Sequence, residues 1–280
     1  SAFDDLVDKA KATMMGDPAQ ALELARKAET MAAAQPTSSH KQQALGASLW
    51  LQSEALTRIN QPDRARPLID RGLELAAQDG VDTKLDGDLN MSLARLAALT
   101  GDMELALKSY QEAHNIFAAI GEARSQSMAL QGLASIYGEA RDYEHALEYY
   151  RRAASLYSGD PSVDMATANN LGNALKHLGR YSEALKDFDR ALAIAVKVES
   201  AHLQARVLTN IASVYATQGN LAAADKDADR ALRLLRADDS GGWSRFVWGV
   251  KAEVAFKRGA IDDAVRDITK AFDGVDPKMS

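Results

Sequence analysis

The sequence predicts an all-α fold, a solenoid of about seven antiparallel helix pairs, from three observations. A short motif returns at intervals of about 40 residues, which is typical of repeat architectures. Within each interval, apolar residues such as Leu93, Leu96 and Leu99 follow the three- and four-residue spacing of a buried helix face. The chain is rich in Ala, Leu, Glu, Arg and Lys and contains only six prolines in 280 residues, a composition that favours helix.

The recurring motif is a Gly, Asn or Arg, then a polar residue, three variable residues, an Ala and an apolar residue. Clear copies occupy residues 16–22 (GDPAQAL), 101–107 (GDMELAL), 179–185 (GRYSEAL) and 219–225 (GNLAAAD), where Asp225 stands in the final apolar position, and looser copies occupy 60–66, 141–147 and 259–265. The alanines of the seven copies are Ala21, Ala65, Ala106, Ala146, Ala184, Ala224 and Ala264. By subtraction, their separations are 44, 41, 40, 38, 40 and 40 residues, so a chance recurrence is implausible.

Other positions keep a fixed distance from this alanine. A small residue follows it by seven positions, at Ala28, Gly72, Ala113, Ala153, Ala191, Ala231 and Ala271. Another small residue precedes it by twelve, at Ser53, Ala94, Ala134, Gly172, Ala212 and Ala252. The position four residues after it is mostly bulky, at Ile69, Tyr110, Tyr150, Phe188 and Ile268. We expect the small residues to allow close helix approach and the bulky one to fill the groove between neighbouring pairs.

The turn inside each repeat has its own signals. Five glycines suit the left-handed position that closes a helix, namely Gly16, Gly101, Gly179, Gly219 and Gly259. The residues that follow predict N-caps of the second helix at Asp17, Asp102, Asp142 and Asn220. Pro18 and Pro62 fall at the first helical position, where proline is tolerated.

The pattern resembles the tetratricopeptide repeat, a helix–turn–helix unit that stacks into a right-handed superhelix. The small–aromatic–small signature of that family falls on Ala106, Tyr110 and Ala113, and again on 146, 150 and 153 and on 184, 188 and 191. Its leucine and small residue in the first helix fall on 93–94, 133–134, 171–172 and 211–212. The chain departs from the family in its period, which is about 40 rather than about 34, and in lacking the proline that ends each repeat.

We expect one repeat domain over residues 1–280, with helix pairs at about 2–34, 39–79, 82–119, 122–158, 162–198, 200–237 and 242–274. The pattern breaks at residues 237–243 (ADDSGGW), which we interpret as a long loop between repeats. The alternative interpretation is a hinge between two subdomains. The start at Ser1 without Met and the residues 276–280 at the end indicate a trimmed or processed chain.

Composition argues against several classes of function. A net charge of −6 disfavours nucleic-acid binding, which needs a basic surface, although a local basic patch remains compatible with it. The lack of cysteine excludes disulfides and thiolate chemistry and fits cytosol or periplasm equally. No apolar run approaches the roughly 20 residues of a transmembrane helix. The five histidines show no metal-ligand spacing and no catalytic motif occurs, so we expect neither an enzyme nor a cofactor.

Function is therefore expected on the concave surface, which the first helix of each pair lines and along which the resembling family holds peptides. Register predicts the partner-binding residues Trp50, Arg95, Gln131, Asn169, Asn170, Asn173, Arg206 and Asn210, and adds Glu54, Asp88, Met91 and Met128 to the same face. Asparagine both donates and accepts, so an asparagine ladder suits an extended peptide backbone. The alternative role of these asparagines is hydrogen bonding between repeats.

The resemblance also implies part of a carboxylate clamp for peptide C-termini, at Asn170, Arg206 and Asn210. Gln131 and Ser135 stand where that clamp has Lys and Asn, so the match is incomplete. Among the aromatics, Tyr110, Tyr137, Tyr150, Phe188 and Tyr215 occupy predicted core positions. Trp243, Phe246 and Trp248 either cover the last repeat or form an interface.

Two hypotheses of function follow. The first is a scaffold that holds a protein or peptide segment in the concave groove. The alternative is the sensory or regulatory region of a larger bacterial signalling protein, whose output domain is not part of this sequence. Homo-oligomerisation through a terminal repeat is a further hypothesis, because an uncapped apolar end of a solenoid seeks cover.

Overall fold

The computed structural model describes residues 1–36, 38–77, 83–237, 239 and 242–273. These residues form fourteen α-helices and no β-strand, which confirms the all-α solenoid of seven helix pairs. The chain divides into two compact units, Ser1–Tyr157 and Ser158–Ser280. Among the predicted boundaries, residues 79, 82 and 274, and residues 238, 240 and 241 of the hypothesised hinge, lie outside the described residues.

The first unit contains four helix pairs. Their helices are α1 (Ala2–Thr13), α2 (Pro18–Ala33), α3 (Ser39–Arg58), α4 (Pro62–Ala76), α5 (Lys84–Leu99), α6 (Met103–Ala119), α7 (Ala123–Glu139) and α8 (Tyr143–Leu156). Each odd-numbered helix is the first of its pair. The turn inside a pair is three or four residues long, so the two helices must run antiparallel.

The second unit contains three helix pairs built in the same way. Its helices are α9 (Pro161–His177), α10 (Tyr181–Lys197), α11 (Ala201–Thr217), α12 (Leu221–Leu235), α13 (Ser244–Lys257) and α14 (Ile261–Phe272). Six of the seven motif alanines are buried, with Ala65, Ala106, Ala184 and Ala224 at 0% exposure, whereas Ala264 in the last pair is half-buried. The core therefore runs between the two helices of each pair, as the spacing of small residues predicts.

The turns confirm most of the predicted signals. Gly101 has φ +84°, and the amide of Asp102 donates to the carbonyl of Ala97 at 2.8 Å, which is a Schellman closure of α5. Asn60 and Arg141 take the same left-handed conformation in the looser copies, with φ of 58° and 60°. The predicted N-caps are also present, with side chains that accept from a backbone amide at Asp17, Asp102, Asp142 and Asn220.

Gly16 is an exception, because the prediction of a left-handed glycine there is wrong. It is not among the residues with positive φ. Helix α1 ends with Met14 in the right-handed region, and the carbonyl of Thr13 accepts from the amides of both Gly16 and Asp17, at 3.1 and 2.8 Å. The turn closes through this shared acceptor, so it needs no left-handed residue.

Close approach explains the small residues at helix contacts. A Cβ built on Gly172 of α9 would lie 2.6 Å from the ring of Phe188 in α10. A Cβ on Gly132 of α7 would lie 2.3 Å from the ring of Tyr110 in α6, the second helix of the preceding pair. The bulky position therefore fills a groove between helices, as predicted for Tyr110, Tyr150, Phe188 and Ile69, which are at most 7% exposed. Ile268 differs, at 41% exposure, because no helix beyond α14 is described to cover it.

Candidate functional site

In the first unit, the first helices of consecutive pairs are joined by polar side chains. The indole N–H of Trp50 in α3 donates to the hydroxyl oxygen of Ser92 in α5 at 3.1 Å. The Ser92 hydroxyl in turn donates to a carboxylate oxygen of Glu54, one turn after Trp50, at 2.5 Å. These bonds fix the Trp50 ring against α5, and they use the same register positions that predict the inner face.

Glu54 also accepts a hydrogen bond from the guanidinium of Arg95, which forms an ion pair between α3 and α5. Burial alone would raise the pKa of Glu54, whose side chain is 13% exposed. The charge of Arg95 and the hydrogen bonds from Ser92 and Arg95 outweigh that effect, so the pKa of Glu54 lies below its ordinary value. The carboxylate therefore stays ionised and holds the Arg95 side chain in place.

A cleft of about 440 Å³ opens beside this network, between α3, α5 and α7. Its apolar lining comes from Trp50, Met91, Phe117 and Met128. Its charged lining comes from four cations and two carboxylates, namely Arg58, Lys84, Arg95, Arg124, Glu54 and Asp88. The cleft therefore combines an aromatic and methionine wall with six charged side chains, which makes it the candidate site of this unit.

Asp88 is the second carboxylate of the cleft, and it differs from Glu54 in its electrostatics. The ammonium of Lys84, one turn earlier on α5, donates to both of its oxygens at 2.7 and 3.0 Å. Burial nevertheless raises the pKa of Asp88 above its ordinary value, and the Lys84 and Arg95 charges offset this only in part. The ionised form of Asp88 is therefore less favourable than that of an ordinary carboxyl group, and an anionic ligand group beside it would make it less favourable still.

The structure brings together two of the three site residues predicted in this unit, Trp50 and Arg95. Gln131 lies half-buried on α7 and does not line the cleft; its backbone carbonyl accepts from the Ser135 hydroxyl at 3.0 Å. Sequence reasoning missed the cations Arg58, Lys84 and Arg124. Each stands one helical turn from a predicted inner-face residue (Glu54, Asp88 and Met128), so extending the register by four residues would have found them.

In the second unit, the equivalent contact between first helices is made by amides. Asn169 of α9 is buried, and its carbonyl oxygen accepts from the amide nitrogen of Asn210 in α11 at 2.9 Å. The amide nitrogen of Asn169 lies 3.4 Å from the carbonyl oxygen of Asn170. The structure thus uses Asn169 and Asn210 for hydrogen bonding between repeats, which was the alternative role considered for the predicted ladder.

Two half-buried cations lie on helices that carry this amide contact. Burial lowers the pKa of Arg206 on α11, one turn before Asn210. Burial also lowers the pKa of Lys176 on α9, near the half-buried Asn173, and the charge of Glu253 offsets this only in part. The Asn169, Asn170, Asn173, Arg206 and Asn210 set is therefore polar and cationic, with part of its amide capacity already used inside the protein.

The aromatic residues near the last pair separate into two contacts. Trp243 packs its ring 4.5 Å from that of Phe246 and donates its indole N–H to the Thr209 hydroxyl at 3.2 Å. Trp248 lies under the ammonium of Lys270, 3.9 Å from the ring centre. The three aromatics therefore do not form one surface, since Trp243 and Phe246 pack together while Trp248 is covered from α14.

The tetratricopeptide repeat profile matches residues 87–158 and 164–237, and a second profile of the same repeat matches residues 51–119. Together these segments span most of the helix pairs described above. The chain belongs to the tetratricopeptide repeat family. Folds of this family are typically non-catalytic scaffolds. No curated protein matches the sequence.

Many solved structures resemble this tetratricopeptide repeat chain, and three of them illustrate the similarity. BtubC from P. vanneervenii is 22% identical with a TM-score of 0.65, covering 85% of this chain and 92% of that one. The Rap conjugation gene regulator of plasmid pLS20, in complex with the Phr* peptide, is 14% identical with a TM-score of 0.70, covering 96% and 72%. A STAND signal-transduction ATPase with a tetratricopeptide repeat sensor from Pyrococcus horikoshii is 16% identical with a TM-score of 0.73, covering 95% of this chain and 40% of that chain. At these identities the likeness establishes the fold.

Within the described ranges, no helix combines the length and the apolar character that a membrane crossing requires. Over the same residues, no group of three or more His, Cys, Asp or Glu side chains is placed to hold a metal ion.

Proposed function

We propose that this protein is a protein- or peptide-binding scaffold whose binding site in the first unit is the cleft between α3, α5 and α7. The observation that carries the proposal is that this cleft is lined by first-helix residues of three consecutive pairs. Trp50 and Arg95, selected from register alone, are both among them. The family match supports the proposal, and so does the likeness to a Rap regulator whose structure contains a peptide.

Within this proposal, the residues have distinct roles. Trp50 offers an aromatic face for an apolar side chain of the ligand, since its indole N–H is already engaged by Ser92. Arg95, held by Glu54, presents its remaining N–H groups to ligand carbonyls or carboxylates. In the second unit, Asn170, Asn173 and Arg206 form a second polar surface for a backbone, while Asn169 and Asn210 position it. We propose binding without catalysis, which is supported by the typical role of this repeat family as a non-catalytic scaffold.

The test is a pair of methionine variants that differ only in location. Met128 lines the cleft and Met103 begins α6 outside it, and both are 37% exposed. Dodecapeptides are selected by display against the wild-type protein, and their affinity is measured by fluorescence anisotropy for Met128→Ser and Met103→Ser. We expect a loss of about fivefold for Met128→Ser, from reduced apolar burial, and no change for Met103→Ser. Equal affinities for the two variants would place the binding site elsewhere.

The alternative function, a sensory region of a larger signalling protein, is favoured by one comparison. The Pyrococcus horikoshii ATPase uses a tetratricopeptide repeat region as its sensor, and this chain covers 40% of that protein. On this alternative, the cleft would receive the signal rather than hold a constitutive partner. Reading the coding sequence on both sides of these 280 residues tests it: an in-frame output domain supports the sensor, and its absence excludes it.

We also propose self-association through α14. Ile261, Val265, Ile268 and Phe272 are 53%, 58%, 41% and 66% exposed and follow one another by four, three and four residues, which gives one apolar stripe along the helix. Soluble proteins seldom leave such a stripe uncovered. Light scattering should give a mass above 30.2 kDa for the wild type and 30.2 kDa for Val265→Glu with Ile268→Glu. A wild-type mass of 30.2 kDa at 100 μM would exclude the association.

A further inference from the structure

A pocket of about 430 Å³ opens in the second unit between α12 and α13. On the α12 side it is lined by Asp229, Leu232, Arg233 and Arg236. These residues follow one another by three, one and three positions, so they share one face of the helix and of its C-cap. Trp248 of α13 forms the opposite wall. We call this site the α12 pocket.

The α12 pocket has an excess of positive charge. Arg233 and Arg236 are both exposed, and among the residues that the structure describes, neither guanidinium makes a hydrogen bond or an ion pair. Asp229 is the one carboxylate of the described lining, and it accepts from the ammonium of Lys251 at 2.6 Å. That ion pair offsets the negative charge of the lining, so the two arginines set the sign of the pocket.

Trp248 supplies the aromatic wall of the α12 pocket. It lies sixteen residues before the motif alanine of its repeat, a position where α7 has Leu130, which is 2% exposed. The larger Trp248 side chain is half-buried and lines the pocket together with Leu232. The ammonium of Lys270 lies 3.9 Å from the centre of the Trp248 ring and 3.8 Å from a carboxylate oxygen of Asp267, so this cation is already engaged. The pocket therefore joins one aromatic wall to two available arginines.

The repeat itself does not require these arginines. They lie nine and twelve residues after the motif alanine Ala224, and none of the other six copies has a cation at either position. The residues at those positions are Thr30 and Ala33, Glu74 and Ala77, Asn115 and Ala118, Ser155 and Ser158, Ala193 and Val196, and Asp273 and Asp276. A cation in the last turn of a helix complements the helix dipole, but that interaction leaves the N–H donors of Arg233 available to a ligand.

We propose that the α12 pocket binds a phosphate monoester, with the phosphate on Arg233 and Arg236 and an apolar or aromatic ester group against Trp248 and Leu232. The planar fork of an arginine matches the oxygens of a phosphate, and a monoester with a charge near −2 balances two guanidinium groups, whereas one carboxylate balances only one. A volume of about 430 Å³ is within the range of pockets for small ligands. A small organic phosphate and a phosphorylated side chain of a partner share this chemistry. The site is independent of the cleft in the first unit.

The test compares a pocket variant with a matched control. The pocket variant is Arg233→Ser with Arg236→Ser, and the control is Lys186→Ser with Arg190→Ser, which removes two exposed cations one turn apart from α10, outside the pocket. The probes are phenyl phosphate, inorganic phosphate, benzoate, and a phosphotyrosine pentapeptide with its unphosphorylated counterpart, all at constant ionic strength. Binding is followed by NMR in the indole N–H signals of tryptophan-labelled protein, with Trp248→Phe to assign the signal of the pocket.

The expected result is that phenyl phosphate shifts the Trp248 signal to saturation and leaves the Trp50 signal in place. It should bind at least tenfold more tightly than inorganic phosphate or benzoate, the pocket variant should lose about tenfold of this affinity, and the control should keep it. Tighter binding of the phosphopeptide than of phenyl phosphate would support the proposal with a phosphorylated protein as the source, and the reverse order would support it with a small organic phosphate. Benzoate binding as tightly as phenyl phosphate, unchanged affinity in the pocket variant, or no saturable Trp248 shift would overturn it.

Discussion

The two units use the same register for different chemistry on the faces predicted to bind. Trp50 and Asn169 each lie fifteen residues before the motif alanine of their repeat, and Ser92 and Asn210 each lie fourteen before theirs. In both units, these two positions join consecutive first helices, at 3.1 Å through Trp50 and Ser92 and at 2.9 Å through Asn169 and Asn210. The repeat therefore fixes where the contact occurs, and the side chains decide what surface it leaves.

The difference between the units lies in what remains after the contact is made. In the first unit, the contact engages only the indole N–H of Trp50. The face of the Trp50 ring and the neighbouring cations therefore still line a cleft. In the second unit, the contact uses the amide oxygen of Asn169 and the amide nitrogen of Asn210, so part of the hydrogen-bonding capacity of this face is already engaged. A polar side chain on a repeat surface is thus open to use by the contact between repeats, whereas a large side chain with one engaged polar atom keeps a face for other contacts.

The largest expected effects test whether the close packing is equivalent in the two units. Gly132→Ala in the first unit and Gly172→Ala in the second each drive a Cβ into an aromatic ring, so each should lower the free energy of unfolding by roughly 2–3 kcal/mol. Urea denaturation followed by circular dichroism measures this.

Two helical glycines with open space around them provide the controls. A Cβ on Gly138 in α7 or Gly249 in α13 meets nothing within 4 Å. Their replacement by Ala should leave stability unchanged or raise it by up to about 1 kcal/mol. If Gly138→Ala destabilised the protein as much as Gly132→Ala does, close helix contact would not be the reason that position 132 requires glycine.

The next prediction tests the ion pair between Glu54 and Arg95 in the first unit. Arg95→Ala leaves the Glu54 carboxylate, which is 13% exposed, with the Ser92 hydroxyl as its remaining hydrogen-bond donor. The substitution should lower the free energy of unfolding by roughly 1–3 kcal/mol, which is less than for a fully buried ion pair because the Arg95 side chain is 37% exposed and screened by solvent. The lowered pKa of Glu54 means that this stabilisation is present above the ordinary carboxyl pKa and is lost as pH falls through the folded-state pKa. Denaturation of the wild type and Arg95→Ala at pH 7 and pH 3 should show the difference shrinking with acid. A constant difference would contradict the role of the Glu54 charge.

A smaller effect tests the structural role of the asparagines in the second unit. Asn169→Ala removes the acceptor of the Asn210 amide in a buried position and should cost about 1–2 kcal/mol. Asn173→Ala, at a half-buried position one turn later, should change stability by less than about 0.5 kcal/mol. If Asn169→Ala left the melting temperature unchanged and abolished peptide binding, the asparagine would be a ligand residue instead.

The smallest effect concerns Arg206. Because burial lowers the pKa of Arg206, the charged guanidinium carries a desolvation cost in the folded protein. Arg206→Met keeps most of the side-chain volume and should raise the free energy of unfolding by about 0.5–1 kcal/mol. A clear loss of stability in thermal denaturation would show that Arg206 holds the second unit together.

Much of the fold follows from the sequence because its determinants are local. The left-handed Gly101, the cap at Asp102 and the close contact of Gly172 with Phe188 each depend on residue types at fixed spacing. The closure at Gly16 does not, because Thr13 shares its carbonyl between two amides, a geometry that residue type does not specify.

The site was predictable only in part. Register placed Trp50 and Arg95 on one face, but the sequence period does not give the axial offset between neighbouring first helices. That offset decides whether a polar residue meets the next helix, as Asn169 does, or the cleft, as Arg58 does. Consequently, register left Asn169 open between ligand contact and hydrogen bonding between repeats, and it omitted the cations one turn away from the predicted residues.

The most direct test of the binding cleft is a methyl NMR titration of the protein labelled at its methionines. A display-selected peptide is added stepwise, and the methyl signals of Met91, Met128, Met103 and Met165 are followed. The first two line the cleft, Met103 lies outside it in the same unit, and Met165 is buried in α9 of the second unit. We predict shifts of Met91 and Met128 that saturate with the peptide, while Met103 and Met165 stay in place. Saturating shifts of Met165 with Met91 and Met128 unmoved would contradict the cleft as the binding site.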